Sequence, residues 1–188
     1  ALASPIIALI FEHGSFTPDD TAATAAALRW YAIGLVGYSV VRIVSPTFYA
    51  LNKARIPVTV SVVSVFINVA LNIALVRVMG YRGLALGTSL AALINAGTQL
   101  FLLRRALGGI EGPRVVRSFL KVLAASLAMA AAAWLTDAWI TTVLPGASIV
   151  MQAVRVATAI LVALVVLAGA STLLRVREFE EARDLVLG

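Results

Sequence analysis

The chain has 188 residues, 61% of them hydrophobic and only 13% charged, with a mean hydropathy of +0.99. A soluble domain carries about a quarter charged residues, so this chain cannot cover itself with polar surface and its solvent must be lipid. The net charge of +6 does not signal a nucleic-acid partner, because the Lys and Arg sit in short turns between apolar runs and form no basic face.

A spanning helix needs about 20 mostly apolar residues. Residues 1–11 (ALASPIIALIF) read as the tail of a span already under way, so the chain is expected to be the C-terminal part of something longer. An acidic loop, Glu12–Asp20, follows. Within it Thr17-Pro18-Asp19-Asp20 reads as a helix start, with Thr17 as N-cap, Pro18 in the first helical position and acids in the first turn. That helix is expected to run to about Leu51. Further spans are expected at about 57–79, 82–106, 116–140 and 148–174, separated by Gly80, by Gly108-Gly109 with Gly112-Pro113, and by Pro145-Gly146. The fold class is therefore all-α, a polytopic transmembrane bundle of five complete spans and one partial one, since open strands cannot cross lipid. The short Gly80–Arg82 connection makes a tight hairpin. Residues 175–188 keep Val176, Phe179, Ala182 and Val186 on one face and read as an amphipathic helix on the membrane surface.

Orientation follows from the distribution of basic residues. Lys53, Arg55, Arg104, Arg105, Arg114, Arg117, Lys121, Arg175, Arg177 and Arg183 fall on one side, against Arg29, Arg77, Arg82 and Arg155 on the other. The first side is expected in the cytoplasm, with the C-terminus, and the acidic 12–20 loop outside.

Leu28–Val60 carries Arg42 and Pro46 inside an apolar helix and ends in the basic turn Asn52-Lys53-Ala54-Arg55, closed by Pro57. An Arg within a span is costly and so usually has a role. Arg42 lies roughly 16 Å of helix from Lys53, too deep for easy snorkelling. It reads either as bonded to carbonyls freed by a break at Pro46 or as a cationic cavity-lining residue for an anionic substrate. After Pro57, Ser61, Ser64, Asn68 and Asn72 share one helix face, and Thr88, Asn95 and Gln99 share one face of the next helix. The two stripes can meet across the hairpin. They either bond helix to helix or line a hydrated cavity, with Arg42, Ser61, Ser64, Asn95 and Gln99 as candidate lining. Asn68, Asn72 and Thr88 would suit a small hard cation that prefers oxygen ligands, although without a carboxylate such a site is weak by itself. Gly83 and Gly87, and the ridge Ala124, Ala128 and Ala132, permit close helix packing. The last two spans are almost featureless apart from Arg155. There is no Cys, the single His13 lies in a loop, and no catalytic constellation, metal-ligand cluster or phosphate-binding loop is found. The chain reads as a transporter and not an enzyme.

Two stretches carry a family resemblance. One is residues 5–35, with Phe11-Glu12-x-Gly14-x-Phe16-Thr17-x-x-Asp20; the other is residues 40–58, with Pro46-x-Phe48-Tyr49-Ala50 and Pro57 after the basic turn. The chain is similar to the MurJ/MviN family of lipid II flippases, within the multidrug/oligosaccharidyl-lipid/polysaccharide exporter superfamily. The resemblance implies a fourteen-helix, two-lobe fold, of which residues 1–188 would be the C-terminal lobe from the end of the ninth helix to the fourteenth. It implies flipping of an undecaprenyl-linked peptidoglycan precursor from the inner to the outer leaflet of the bacterial cytoplasmic (inner) membrane, with membrane lipids and the N-terminal lobe as partners, and the last two spans forming a groove for the tail. It also implies a sodium-type site where Asn68, Asn72, the Leu84 carbonyl and Thr88 stand, with Na+ as coupling ion, although such members carry Asp at the position of Asn72. The alternatives are a drug or polysaccharide-lipid exporter of the same superfamily, or a non-transporting scaffold subunit.

Overall fold

The computed structural model describes residues 1–12, 14–109, 112–143 and 148–174, and of 113–115 the backbone alone. His13, the Pro145-Gly146 breaker and the amphipathic 175–188 segment lie outside the described residues. Among the described residues there are six helices: α1 (Ala3–Phe11), α2 (Pro18–Ala50), α3 (Arg55–Met79), α4 (Tyr81–Ala106), α5 (Gly112–Val143) and α6 (Ile149–Leu173). Five of them, all but α1, are long and apolar enough to cross a membrane. Their bounds follow the hydropathy pattern to within a few residues. The described residues fall into two compact units, those within 1–17 and 111–188 and those within 18–110.

In the second unit α4 is the central helix, packed along both α2 and α3, which barely touch each other. Its sequence explains the position. Gly83, Ala85, Gly87, Ser89, Ala92 and Ala96 are all buried on it, and small residues let backbones approach where lipid supplies no hydrophobic drive for association. A methyl group added at Gly83 would overlap the Leu75 carbonyl of α3, and one at Gly87 would overlap Asn72 Oδ1. The Gly-x-x-x-Gly pair thus seats α4 on α3. The hairpin between them turns on one residue, Gly80, at φ +60°, whose N–H donates to the Val76 carbonyl and whose carbonyl accepts from Gly83 N–H. A side chain there would meet the left-handed penalty that glycine avoids.

Pro46 does not break α2, contrary to expectation: the helix is continuous to Ala50. Pro46 lacks the N–H that the Arg42 carbonyl would otherwise accept. One residue on, the Thr47 hydroxyl donates to the Ile43 carbonyl at 3.1 Å, beside the freed Arg42 carbonyl, and Ser/Thr bonds to the backbone accompany Pro in spanning helices. The helix is capped, two residues past Ala50, at Asn52, which takes φ +55°. Lys53 N–H donates to the Phe48 carbonyl and Asn52 N–H to that of Tyr49, a left-handed cap of the Schellman type that Asn tolerates. Above this cap Val44, Phe48 and Leu103 form a core joining α2 to α4, with Phe48 fully buried.

In the first unit α5 and α6 pack as a pair, with α1 against α6. The small-residue ridge expected at Ala124, Ala128 and Ala132 is not the packing face. Ala124 and Ala128 are exposed, and the buried positions are Ala125, Ala133 and Ile140, a rotation of about one residue, or 100°. Alanines at helical spacing occur on both flanks of α5, so spacing alone does not choose between them. On α6 the buried face is Val156, Ala159, Ala163 and Ser171.

Candidate functional site

The two polar stripes do converge. Tyr38 of α2, Ser61, Ser64, Val65 and Asn68 of α3, and Thr88, Ala91, Ala92 and Asn95 of α4 line one groove of about 380 Å³. A volume near the lower end of the range for ligand sites, about 300–1,000 Å³, leaves room for part of a large polar ligand. Sequence reasoning found Ser61, Ser64, Asn68, Thr88 and Asn95. It missed Tyr38, which stands one helical turn before Arg42, and the alanine floor, which carries no polar signal.

The hydrogen bonds of Ser64, Asn68, Asn72 and Thr88 stay within their own helices. Ser64 Oγ donates to the Val60 carbonyl at 2.8 Å, Thr88 Oγ1 to the Leu84 carbonyl at 2.9 Å, and Asn72 Nδ2 to Asn68 Oδ1 at 2.9 Å. Among the described residues no side-chain hydrogen bond joins α3 to α4, so the helix-to-helix reading of the facing stripes is not met there. The side-chain bonds that do cross between helices of this unit join α4 to α2. Ser89 Oγ donates to the Trp30 carbonyl at 2.7 Å, and Ser45 Oγ to Gln99 Oε1 at 2.9 Å. Gln99 in turn donates from Nε2 to Asn95 Oδ1 at 2.9 Å.

Gln99 therefore departs from its expected place on the cavity lining. It is 0% exposed and sits inside the α2–α4 contact, because both ends of its amide find partners there and a buried amide is costly without them. Arg42 is exposed on α2 and is not on the groove wall. It makes no hydrogen bond to the carbonyls near Pro46. It lies four residues from Tyr38, so the two side chains are neighbours on one face about 5–6 Å apart at Cβ.

For a cation, the four named oxygens belong to neutral groups. Asn68 Oδ1 already accepts from Asn72, and the Leu84 carbonyl accepts from Thr88. Asn72 Oδ1 is buried with no hydrogen-bond partner, an orphaned lone pair of the kind a small cation satisfies. The donor set fits a singly charged hard ion in type, and it carries no compensating charge. Among the described residues there is no group of three or more His, Cys, Asp or Glu that could hold a metal.

The first unit holds a feature that sequence reasoning overlooked. Arg155 Nε of α6 lies 2.9 Å from Asp137 Oδ1 of α5, with the side chains 22% and 20% exposed. The signal was present: each residue is eight or nine positions from the Pro145-Gly146 breaker, on opposite sides of it, which puts them level across a hairpin.

The family model described as lipid II flippase MurJ matches residues 1–154. A probable lipid II flippase MurJ of Bdellovibrio bacteriovorus is 37% identical over 128 residues, covering 68% of this chain and 24% of that protein. One of Rickettsia prowazekii is 38% identical over 96 residues, covering 51% of this chain and 19% of that protein. The lipid II flippase MurJ of Burkholderia cenocepacia is 32% identical over 129 residues, covering 68% and 25%. The matched region spans about a quarter or less of the length of these relatives.

Proposed function

Because this chain belongs to the lipid II flippase MurJ family, we propose that it forms the C-terminal lobe of a protein that carries a lipid-linked peptidoglycan precursor across the bacterial inner membrane by alternating access. One observation supports this reading above the others. Two facing stripes of hydroxyl and amide groups line a groove between membrane-spanning helices, yet among the described residues they do not bond α3 to α4. A polar headgroup must cross about 30 Å of hydrocarbon, and without hydrogen-bonding partners its desolvation is prohibitive. The groove offers such partners, while the polyprenyl tail stays in lipid. No bond is broken, so the work is binding, release and change of shape.

In this reading Lys53 and Arg55 face the cytoplasm with the C-terminus, the 12–20 loop faces outward, and the N-terminal lobe completes the cavity. Arg42, exposed beside Tyr38, meets the anionic part of the substrate. A sodium ion held by Asn68, Asn72, the Leu84 carbonyl and Thr88 would supply positive charge and a gradient to couple to. With no carboxylate among these groups it would be weakly held.

Transport of the precursor by the full-length protein in vesicles tests both residue assignments. Arg42→Ala is expected to slow transport about tenfold or more, the scale of a lost hydrogen bond to a charged group. An unchanged rate would remove Arg42 from the substrate path. Replacing sodium by choline is expected to slow transport to the level of Asn68→Ala and Thr88→Ala. Transport indifferent to sodium and to both substitutions would end the cation assignment.

A further inference from the structure

We propose that the groove between α2, α3 and α4 is the subsite for the uncharged saccharide and amide portion of the lipid-linked substrate, and that it does not take the diphosphate. This rests on the flippase reading, adds to it which part of the headgroup this lobe holds, and concerns the groove while no sodium ion is held at Asn68 and Thr88.

The argument begins with where the protons point. The Ser64 and Thr88 hydroxyls each donate to a carbonyl of their own helix, at 2.8 and 2.9 Å. What they turn towards the groove is therefore lone pairs. A phosphate oxygen is itself an acceptor with negative charge and gains nothing from them, whereas a sugar O–H or an amide N–H can donate to them. The side-chain amides have the opposite polarity. Asn68 Oδ1 is taken by Asn72 Nδ2, and Asn95 Oδ1 by Gln99 Nε2, so both groove-lining amides have N–H groups left to donate. Two acceptors and two amide donors on one wall match a ligand that both gives and receives hydrogen bonds. Sugars and peptide or acetamido groups do this, and a diphosphate does not.

Charge agrees with polarity. No Asp, Glu, His, Lys or Arg stands on the wall, and diphosphate recognition calls for Arg or Lys. The apolar part of the lining has its own match. Val65, Ala91 and Ala92 offer methyl-sized contacts for the methyl of an acetamido group, and the Tyr38 ring offers a flat face for the C–H side of a sugar. The order along α2 also fits the order along the substrate. Tyr38 lines the groove, and Arg42 stands exposed one turn further on, about 6 Å of helix rise away. A diphosphate at Arg42 leaves the attached saccharide beside Tyr38.

The test measures equilibrium binding of two probes to the full-length protein in sodium-free buffer, so that no sodium ion acts at Asn68, Asn72 or Thr88. One probe is undecaprenyl diphosphate; the other is the same lipid carrying its disaccharide-pentapeptide. Thr88→Val keeps the side-chain shape and removes the acceptor, and Tyr38→Leu alters a side chain that is 54% exposed, which keeps the effect on folding small. Each is expected to weaken the sugar-bearing probe about tenfold, the scale of one or two hydrogen bonds, and to leave the diphosphate probe unchanged. Arg42→Gln is expected to weaken both. If the groove variants weaken both probes equally, or neither, the subsite assignment is overturned while the flippase reading stands. Wild-type protein that binds neither probe overturns both.

Discussion

Arg155→Leu is expected to destabilise the full-length protein by about 3 kcal/mol, and Asp137→Leu by a similar amount. Each substitution leaves its partner as a lone charge within a membrane helix pair. Breaking a buried pair from one side costs about 3–5 kcal/mol. At 20–22% exposure the pair is partly accessible, so the lower figure applies. The double variant Asp137→Leu/Arg155→Leu removes both charges and is expected to recover most of the loss. Thermal unfolding of the four proteins in lipid nanodiscs reads the cycle. Single variants without effect, or a double variant whose loss is the sum of the two, would show that the pair does not hold α5 to α6.

The second large effect is expected at Gly37. A β-carbon there would stand 2.7 Å from the Ala92 carbonyl carbon and oxygen and 2.9 Å from Leu93 N. These are backbone atoms of α4 that cannot swing aside, so α2 and α4 must separate. Gly37→Ala is expected to cost about 1–3 kcal/mol, the usual range for overpacking, and Gly37→Leu more. Gly34 repeats the arrangement one turn earlier, against Ser89 Cα at 2.9 Å. Separation at this seam also stretches the Ser89–Trp30 and Ser45–Gln99 bonds and widens the groove that α2 and α4 share. Gly97 provides the control: nothing lies within 4 Å of its β-position, so Gly97→Leu is expected to melt close to wild type. Equal melting temperatures for the Gly37 and Gly97 variants would contradict the close α2–α4 contact.

Helix positions were legible because lipid imposes one simple rule, about 20 apolar residues per crossing, and glycine and proline punctuate the chain between crossings. The polar stripes were legible for the same reason: Ser61, Ser64, Asn68, Thr88 and Asn95 stand out against an apolar background at helical spacing. What spacing does not carry is direction about the helix axis. Gln99 belongs to the same stripe as Asn95, yet it turns into the α2–α4 seam, because Ser45 on a helix 54 residues earlier supplies its partner. The alanine ridge of α5 was misplaced by one residue for the same reason. Pro46 was read as a break because a proline removes a backbone bond, and the continuous helix reflects tertiary context that a local rule omits. The Asp137–Arg155 pair is hidden in the sequence because Arg155 reads there as a topology signal and not as half of a contact.

The central claim is that this chain is part of a flippase for lipid-linked peptidoglycan precursor, and depletion of the full-length protein from growing cells tests it most directly. The measurement is the leaflet distribution of the precursor, read by its accessibility to an enzyme or label acting from outside. The account predicts that precursor accumulates on the cytoplasmic side and falls on the outer side before growth stops. Unchanged levels in both leaflets after depletion would contradict it.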